Sequence, residues 1–393
     1  MSALEKIRVL DFGRYVAGPY CATLLADFGA DVIRIERLGG SEDREVVPVT
    51  EEGDGALFLQ INRNKRSLTL NPRAPTAGEV LRRLVASADV VVANVPTSAL
   101  KTMGIDYETL TAIRPDIILA NISSFGPKGP WSERPGFDSV GQAMCGSAYL
   151  SGRGDVPYRT PITWVDHATA VYAAFGVMTA LFERAATGKG QQIDGSLLGS
   201  AMAYSSTYLI EQAILQPNRT AIGNRGYVNG PTDTFRARDG WIVTQVVGPT
   251  IFKRWTQLMG EPQWLEDSRF ASDQLRGDNG AVLSERMARW CAERTADEAL
   301  DALAKAGIPA GPVLSPQEVL DHPQVQAMDF ISPTPVPGLA APAPLTRAPI
   351  ELSAIPNSIR RSPPRAGEHT DEILGELGFS ADDIARFRQE RVV

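Results

Sequence analysis

Cysteine and histidine are scarce in this 393-residue chain, with three of each. Cys21, Cys145 and Cys291 stand far apart with no CxxC pair, which argues against a disulfide frame and for thiols kept reduced. His167, His322 and His369 are too few and too scattered for a histidine-rich zinc site, so no bound metal is expected. Basic excess is missing as well. Lys+Arg number 39 against 46 Asp+Glu, a net charge of −7, and no broad basic surface for nucleic acid is implied. No run of about 18 apolar residues offers a bilayer span, and no charged-then-apolar leader precedes Lys6-Ile7-Arg8. A cytoplasmic protein that binds neither membrane nor nucleic acid is expected.

What is present is ordinary for a soluble globular protein, 43% apolar and 22% charged residues, in a length that suits two domains. "IRVLDFG" (7–13) reads as a buried strand, "GPYCATLLADFGA" (18–30) as a helix with Pro19 in its first turn, and "DVIRIE" (31–36) as a strand. The order repeats in "TAGEVLRRLVASA" and "DVVVANV", then in "YETLTAIRP" and "DIILANIS". Such alternation predicts an α/β fold with an open, parallel, Rossmann-like sheet, whose ligands sit beyond the carboxyl ends of its strands. A long helical pair is expected over 166–183 and 196–216, joined through "TGKGQQID". "DTFRARDGWIVTQVV" reads as a hairpin opening a smaller α+β domain. The expected division is a large domain over 1–200 completed by 330–393, a helical, Gly-rich linker over 201–232, and a small domain over 233–329. The Pro-rich 333–349 suits a connection or an edge strand.

Familiar catalytic signatures are absent. Gly13-Arg14-Tyr15-Val16-Ala17-Gly18 puts large side chains where a GxGxxG turn needs bare backbone, and GxxxxGK[ST], HExxH and GxSxG do not occur. The acid in "TPITWVDHATAVYAAFGVMTALFER" (160–184) is more informative. Asp166 opens an apolar helical run, where a carboxylate suits an N-cap. A helix N-terminus would also keep it ionised, as covalent acyl chemistry through an anhydride requires.

Seven blocks in order carry a resemblance: "VLDFGRYVAGPYCATLLADFGADVIRIE", "NRNKRSLTLN", "ADVVVANVPTSALKTMGIDYETL", "PGFDSVGQAMCG", "WVDHATAVYAAFGVMTALFERAATGKGQQIDGSLL", "AGIPAGPVLSPQEVLDHPQV" and "GEHTDEILGELGFSADDI". Over nearly its whole length the chain resembles the family III CoA-transferases, the formyl-CoA and carnitine CoA-transferase group. The resemblance implies that Asp166 attacks an acyl-CoA to form an acyl-aspartyl anhydride and then an aspartyl-CoA thioester. CoA enters as a substrate thioester rather than as a resident cofactor, and a small carboxylic acid accepts it. It further implies CoA contacts at Val16, Arg37, Leu70, Arg73, Asn94, Lys101, Met103 and Phe137. Gly230, in "IGNRGYVNGP", is the implied oxyanion-loop donor, and an interlocked homodimer is the implied assembly. Val16 stands where the formyl-CoA enzyme has glutamine, and Thr102 where it has arginine, with Lys101 as a substitute for the latter. The alternatives are an acyl-CoA racemase of the same superfamily and a non-catalytic CoA-binding subunit. The racemases resemble "GHD" where this chain has Gly136-Phe137-Asp138, so one of the two proton carriers racemisation needs is missing. His167 is read as a core or interface histidine.

Overall fold

The computed structural model describes residues 2–51, 53–355 and 357–393, which divide into two compact units. The first unit comprises Met1–Ser147, Arg159–Pro217 and Met328–Val393. It opens with β1 (Arg8–Asp11), α1 (Ala17–Asp27), β2 (Asp31–Glu36), α2 (Ala56–Ile61), β3 (Lys65–Thr69), α3 (Ala77–Ser87) and β4 (Val90–Ala93). There follow α4 (Thr97–Met103), α5 (Tyr107–Ile113), β5 (Ile118–Ser123) and α6 (Asp138–Met144), after which all of the short α7 (Ser147–Leu150) but its first residue belongs to the second unit. The long α8 (Trp164–Thr187), β6 (Gln192–Ser196) and α9 (Leu197–Leu215) complete this stretch. The six strands form one parallel sheet in the order β3-β2-β1-β4-β5-β6, the doubly wound arrangement.

Strand alternation sends side chains to opposite faces, and each face has its own core. Val9, Val90, Val92, Ile118 and Ala120 pack against α1 and α8 on one side. Leu10, Ile33, Val91, Ala93 and Leu119 pack against α3, α4 and α5 on the other.

The second unit comprises Ala148–Tyr158 and Asn218–Ala327. It contains β7 (Thr232–Arg236), β8 (Trp241–Gln245), α10 (Gly248–Met259), α11 (Asp273–Asp278), α12 (Gly280–Ala292), α13 (Ala296–Lys305), β9 (Ala310–Pro312), α14 (Pro316–Asp321) and α15 (Pro323–Ala327). Its antiparallel sheet, β7-β8-β9, buries Phe235 and Ile242 against Trp255, Met287 and Leu303. The chain then returns to the first unit with β10 (Ile331–Thr334), β11 (Ala343–Thr346), α16 (Thr370–Glu376) and α17 (Ala381–Gln389).

Four details differ from the sequence expectation. Residues 201–217 are not linker but the body of α9 and its exit, inside the first unit. Residues 148–158 group with the second unit, where Tyr227 Oη donates to Leu150 O at 3.0 Å. The join "TGKGQQID" runs into an edge strand, β6, too short and polar to be seen as one. Finally, α8 has the length and hydropathy to cross a membrane, although Thr, Gly and His leave no unbroken apolar run in it. Its small residues Ala170, Ala173, Ala174, Val177 and Ala180 pack closely with α1, as in a core helix.

Candidate active site

A cleft of about 220 Å³ opens at the carboxyl ends of β1, β4 and β5, spanning the point between β1 and β4 where the strand order reverses. Its walls are the β1–α1 loop (Arg14, Tyr15, Val16), Asn94 after β4, Ser123 and Ser124 at the end of β5, and the loop ending in Phe137. Asp166 also lines it.

The structure corrects the expected capping role of Asp166. The helix begins at Trp164, which puts Asp166 at its third position, and the N-cap, Thr163, makes no side-chain cap bond. The cap comes from another element. Asp138, the first residue of α6, accepts from the backbone N–H groups of Val165 at 2.7 Å and of Asp166 at 3.1 Å. Gln142, one helical turn on, donates to Asp138 and to the carbonyls of Thr160 and Ile162, and accepts from Thr160 N at 3.0 Å. This clip fixes both the approach to α8 and its first turn. Among the described residues no group donates to the Asp166 carboxyl, which is 8% exposed.

The expected low pKa is corrected with the cap. Burial, reinforced by the negative charge of Asp138, pushes Asp166 up to about 7. The unfolded chain releases this proton near 3.8, so the native state binds more protons between about pH 4 and pH 7. Stability therefore falls as pH rises through that window. Asp166→Asn removes the penalty and is expected to raise the thermal midpoint by roughly 2–4 °C at pH 8, the gain vanishing toward pH 4. A gain independent of pH would contradict a carboxyl held protonated.

The "NRNKRSLTLN" block braces the cleft wall from beneath. Despite its charges β3 is fully buried, because each cation meets an anion or a carbonyl. Lys65 Nζ donates to Asp11 at 2.8 Å, to Pro19 O at 2.8 Å and to Asn62 at 2.9 Å, and burial pushes it down to about 8. Asp11 in turn accepts from Gly13 N, Arg34 donates to Gly13 O, and Asp43 accepts from Tyr15 N. Gly13 has no room for a side chain, since a Cβ would lie 2.7 Å from Pro19 Cδ. Asn94 closes the clamp, accepting from Arg14 N at 2.6 Å and donating to Arg14 O at 2.7 Å. The loop thereby holds Tyr15 at φ +58°, edge-on to Phe137 at 5.4 Å.

Of the residues singled out by the sequence, Val16, Asn94, Phe137 and Asp166 meet in this cleft. Arg37, Leu70 and Met103 line a second cavity of about 60 Å³, with Phe12, Ile35 and Arg14. Arg73 and Lys101 line neither; both are exposed, Lys101 on the last turn of α4. Gly230 belongs to the second unit, where a Cβ would lie 2.7 Å from Arg276 O, so close packing accounts for the glycine. His167 packs edge-on against Tyr20 with Nδ1 2.7 Å from Thr163 O, and is not among the cleft-lining residues. Sequence reasoning missed Asp138, Gln142 and Arg14. The i,i+4 spacing of Asp138 and Gln142 in "PGFDSVGQ" was the available signal for a shared helix face.

The comparisons with known proteins agree with this architecture. Residues 4–370 match the profile of CoA-transferase family III. The chain is 34% identical to the succinyl-CoA–D-citramalate CoA-transferase of Chloroflexus aurantiacus over 99% of its own length and 98% of that protein. It is 33% identical to the succinyl-CoA:glutarate CoA-transferase of Mus musculus, covering 96% of this chain and 87% of that one. Among solved structures, a CAIB/BAIF family protein from Brucella suis superposes with a TM-score of 0.81 at 33% identity, over 96% of this chain and 99% of the other. The chain belongs to CoA-transferase family III and is a CoA-transferase enzyme.

Proposed function

We propose that this enzyme moves CoA from a small acyl-CoA, with succinyl-CoA the first candidate, to a free carboxylic acid through covalent chemistry at Asp166. The observation that carries the reading is the Asp166 carboxyl itself, buried at the cleft, without a donor among the described residues, and pushed up to about 7. A carboxylate so poorly stabilised is a stronger nucleophile than a solvated one. It attacks the thioester carbonyl; the C–S bond breaks, a C–O bond forms, and CoA leaves as the thiolate. The thiolate attacks the aspartyl carbonyl of the mixed anhydride, giving an aspartyl-CoA thioester and freeing the donor acid. The acceptor carboxylate then attacks that thioester, and the returning thiolate takes the acceptor's acyl group and restores Asp166. One activated acyl replaces another at each step, so ATP is not consumed.

Succinyl-CoA enters the proposal because the relatives from Chloroflexus aurantiacus and Mus musculus carry it in their names. Phe137 in the cleft, and His167 engaged with Tyr20 and Thr163, favour transfer over racemisation. The test is incubation of succinyl-CoA and other acyl-CoAs with mono- and dicarboxylic acids, without ATP and with EDTA, reading CoA thioesters by liquid chromatography. A new thioester at the expense of the donor is expected. Deuterium exchange at an acyl-CoA α-carbon with no transfer would favour the racemase.

A homodimer belongs to the same proposal. Val171, Phe175, Met178 and Phe182 form an exposed apolar stripe along α8, with Phe182 81% exposed, and Ile210 and Ile214 extend the apolar surface on α9. Patches of this kind mark association surfaces. Sedimentation is expected to give twice the chain mass, and Phe175→Asp with Phe182→Asp to give monomers; a monomeric parent enzyme would contradict it. The three buried free thiols suit a cytoplasmic enzyme.

A further inference from the structure

Among the described residues Arg14 is the one common to the cleft at Asp166 and the second cavity. Its backbone is clamped by Asn94 on both sides, so the origin of its side chain is fixed. The guanidinium reaches across to Glu42, in the short turn Glu42–Glu45, with Nη1 2.6 and 2.9 Å from the two carboxylate oxygens. The other Glu42 neighbour is cationic too: Arg37 Nη1 lies 3.9 Å from Oε2, while Arg37 Nε donates to Gly40 O at 2.8 Å. One carboxylate thus stands between two arginines that line the second cavity.

We propose that Arg14 clamps the diphosphate of acyl-CoA at the junction of the two cavities, and that Glu42 holds the place of that anion in the empty enzyme. The inference rests on the CoA-transfer reading, which lays the thioester in the cleft at Asp166 and the nucleotide in the cavity of Arg37, Leu70 and Met103. The diphosphate lies between those ends of CoA, and Arg14 is the charged side chain lining both cavities. Chemistry favours the exchange. The Arg14–Glu42 pair is solvent-accessible, with side chains 40% and 34% exposed, and pairs of that kind are weak. A guanidinium binds phosphate oxygens with strong, directional, charge-assisted bonds. Glu42 also stops the two arginines from repelling each other and keeps Arg14 extended before substrate arrives. The arrangement answers the question left by Thr102, which is exposed on α4 and bonded to Ser98 O. A phosphate contact comes from the β1–α1 loop instead of that helix.

The test is calorimetric binding of CoA, 3′-dephospho-CoA and pantetheine to the parent enzyme, Arg14→Gln and Glu42→Gln. Arg14→Gln is expected to weaken CoA and dephospho-CoA about tenfold, as loss of a charged hydrogen-bond pair does, and to leave pantetheine unchanged. Glu42→Gln is expected to tighten the first two about threefold, a gain that misfolding cannot imitate. Equal loss on all three ligands, no loss on any, or a selective loss confined to CoA would overturn the diphosphate assignment. Weaker CoA binding by Glu42→Gln would overturn its role as the displaced counter-ion. A parent enzyme that binds CoA but transfers it to no acid would end the transferase reading, while these binding differences still decide the place of Arg14.

Discussion

Asp166→Ala is expected to abolish CoA transfer, by at least about 10⁴-fold in kcat, since losing a covalent nucleophile leaves only binding and orientation. The fold should survive. Among the described residues the side chain makes no hydrogen bond, and the cap of α8 is built from Asp138 and two backbone N–H groups, which alanine retains. CoA affinity should persist too, because Arg37, Leu70 and Met103 line a separate cavity. Circular dichroism and CoA calorimetry on the variant separate loss of chemistry from loss of structure. Substantial remaining transfer by well-folded protein would contradict the role of Asp166.

Asp138→Ala is expected to cost about 100-fold in kcat/KM without touching the reacting atoms, through misplacement of the nucleophile. Two N–H groups of the first turn of α8 lose their acceptor, and Gln142 loses one of its partners. Capping losses of this kind are worth about 1 kcal/mol of stability, so unfolding alone cannot explain the deficit. The conservative variant distinguishes positioning from charge. Asp138→Asn keeps an acceptor oxygen but removes the negative charge that helps push Asp166 up. Less of the Asp166 proton is then retained, and the acid limb of kcat/KM, expected near pH 7 in the parent enzyme, moves to lower pH. Partial recovery relative to alanine with that downward shift is the expected pattern. An unmoved limb would show that Asp138 acts only as a cap.

The parts of this molecule legible in sequence were those governed by local patterning. The valine run of β4 and the capped, alternating helices announced a parallel sheet, and its strand order places the cleft between β1 and β4. Less legible was what depends on partners distant in sequence. The burial of the charged strand β3 depends on Asp11, Asp27 and Asp31, which neutralise Lys65, Arg63 and Arg66 in and beside it. The environment of Asp166 was misread for the same reason. Its sequence position suggests a cap and a lowered pKa, but the capping carboxylate comes from Asp138, 28 residues earlier, and burial, with the charge of Asp138 added, raises the pKa instead. Likewise the place of Arg14 was hidden, because it depends on Asn94, 80 residues on, whose paired bonds fix the Arg14 backbone where its side chain lines both cavities.

The central claim is a covalent bond to Asp166, and trapping tests it most directly. The enzyme is mixed with succinyl-CoA and other acyl-CoAs, quenched with hydroxylamine, digested and mapped by mass spectrometry. An anhydride or thioester at Asp166 is converted to a hydroxamate, so the account predicts that modification on the Asp166 peptide, dependent on a donor and absent from Asp166→Ala. A hydroxamate on another carboxylate, or full turnover with none anywhere, would contradict it.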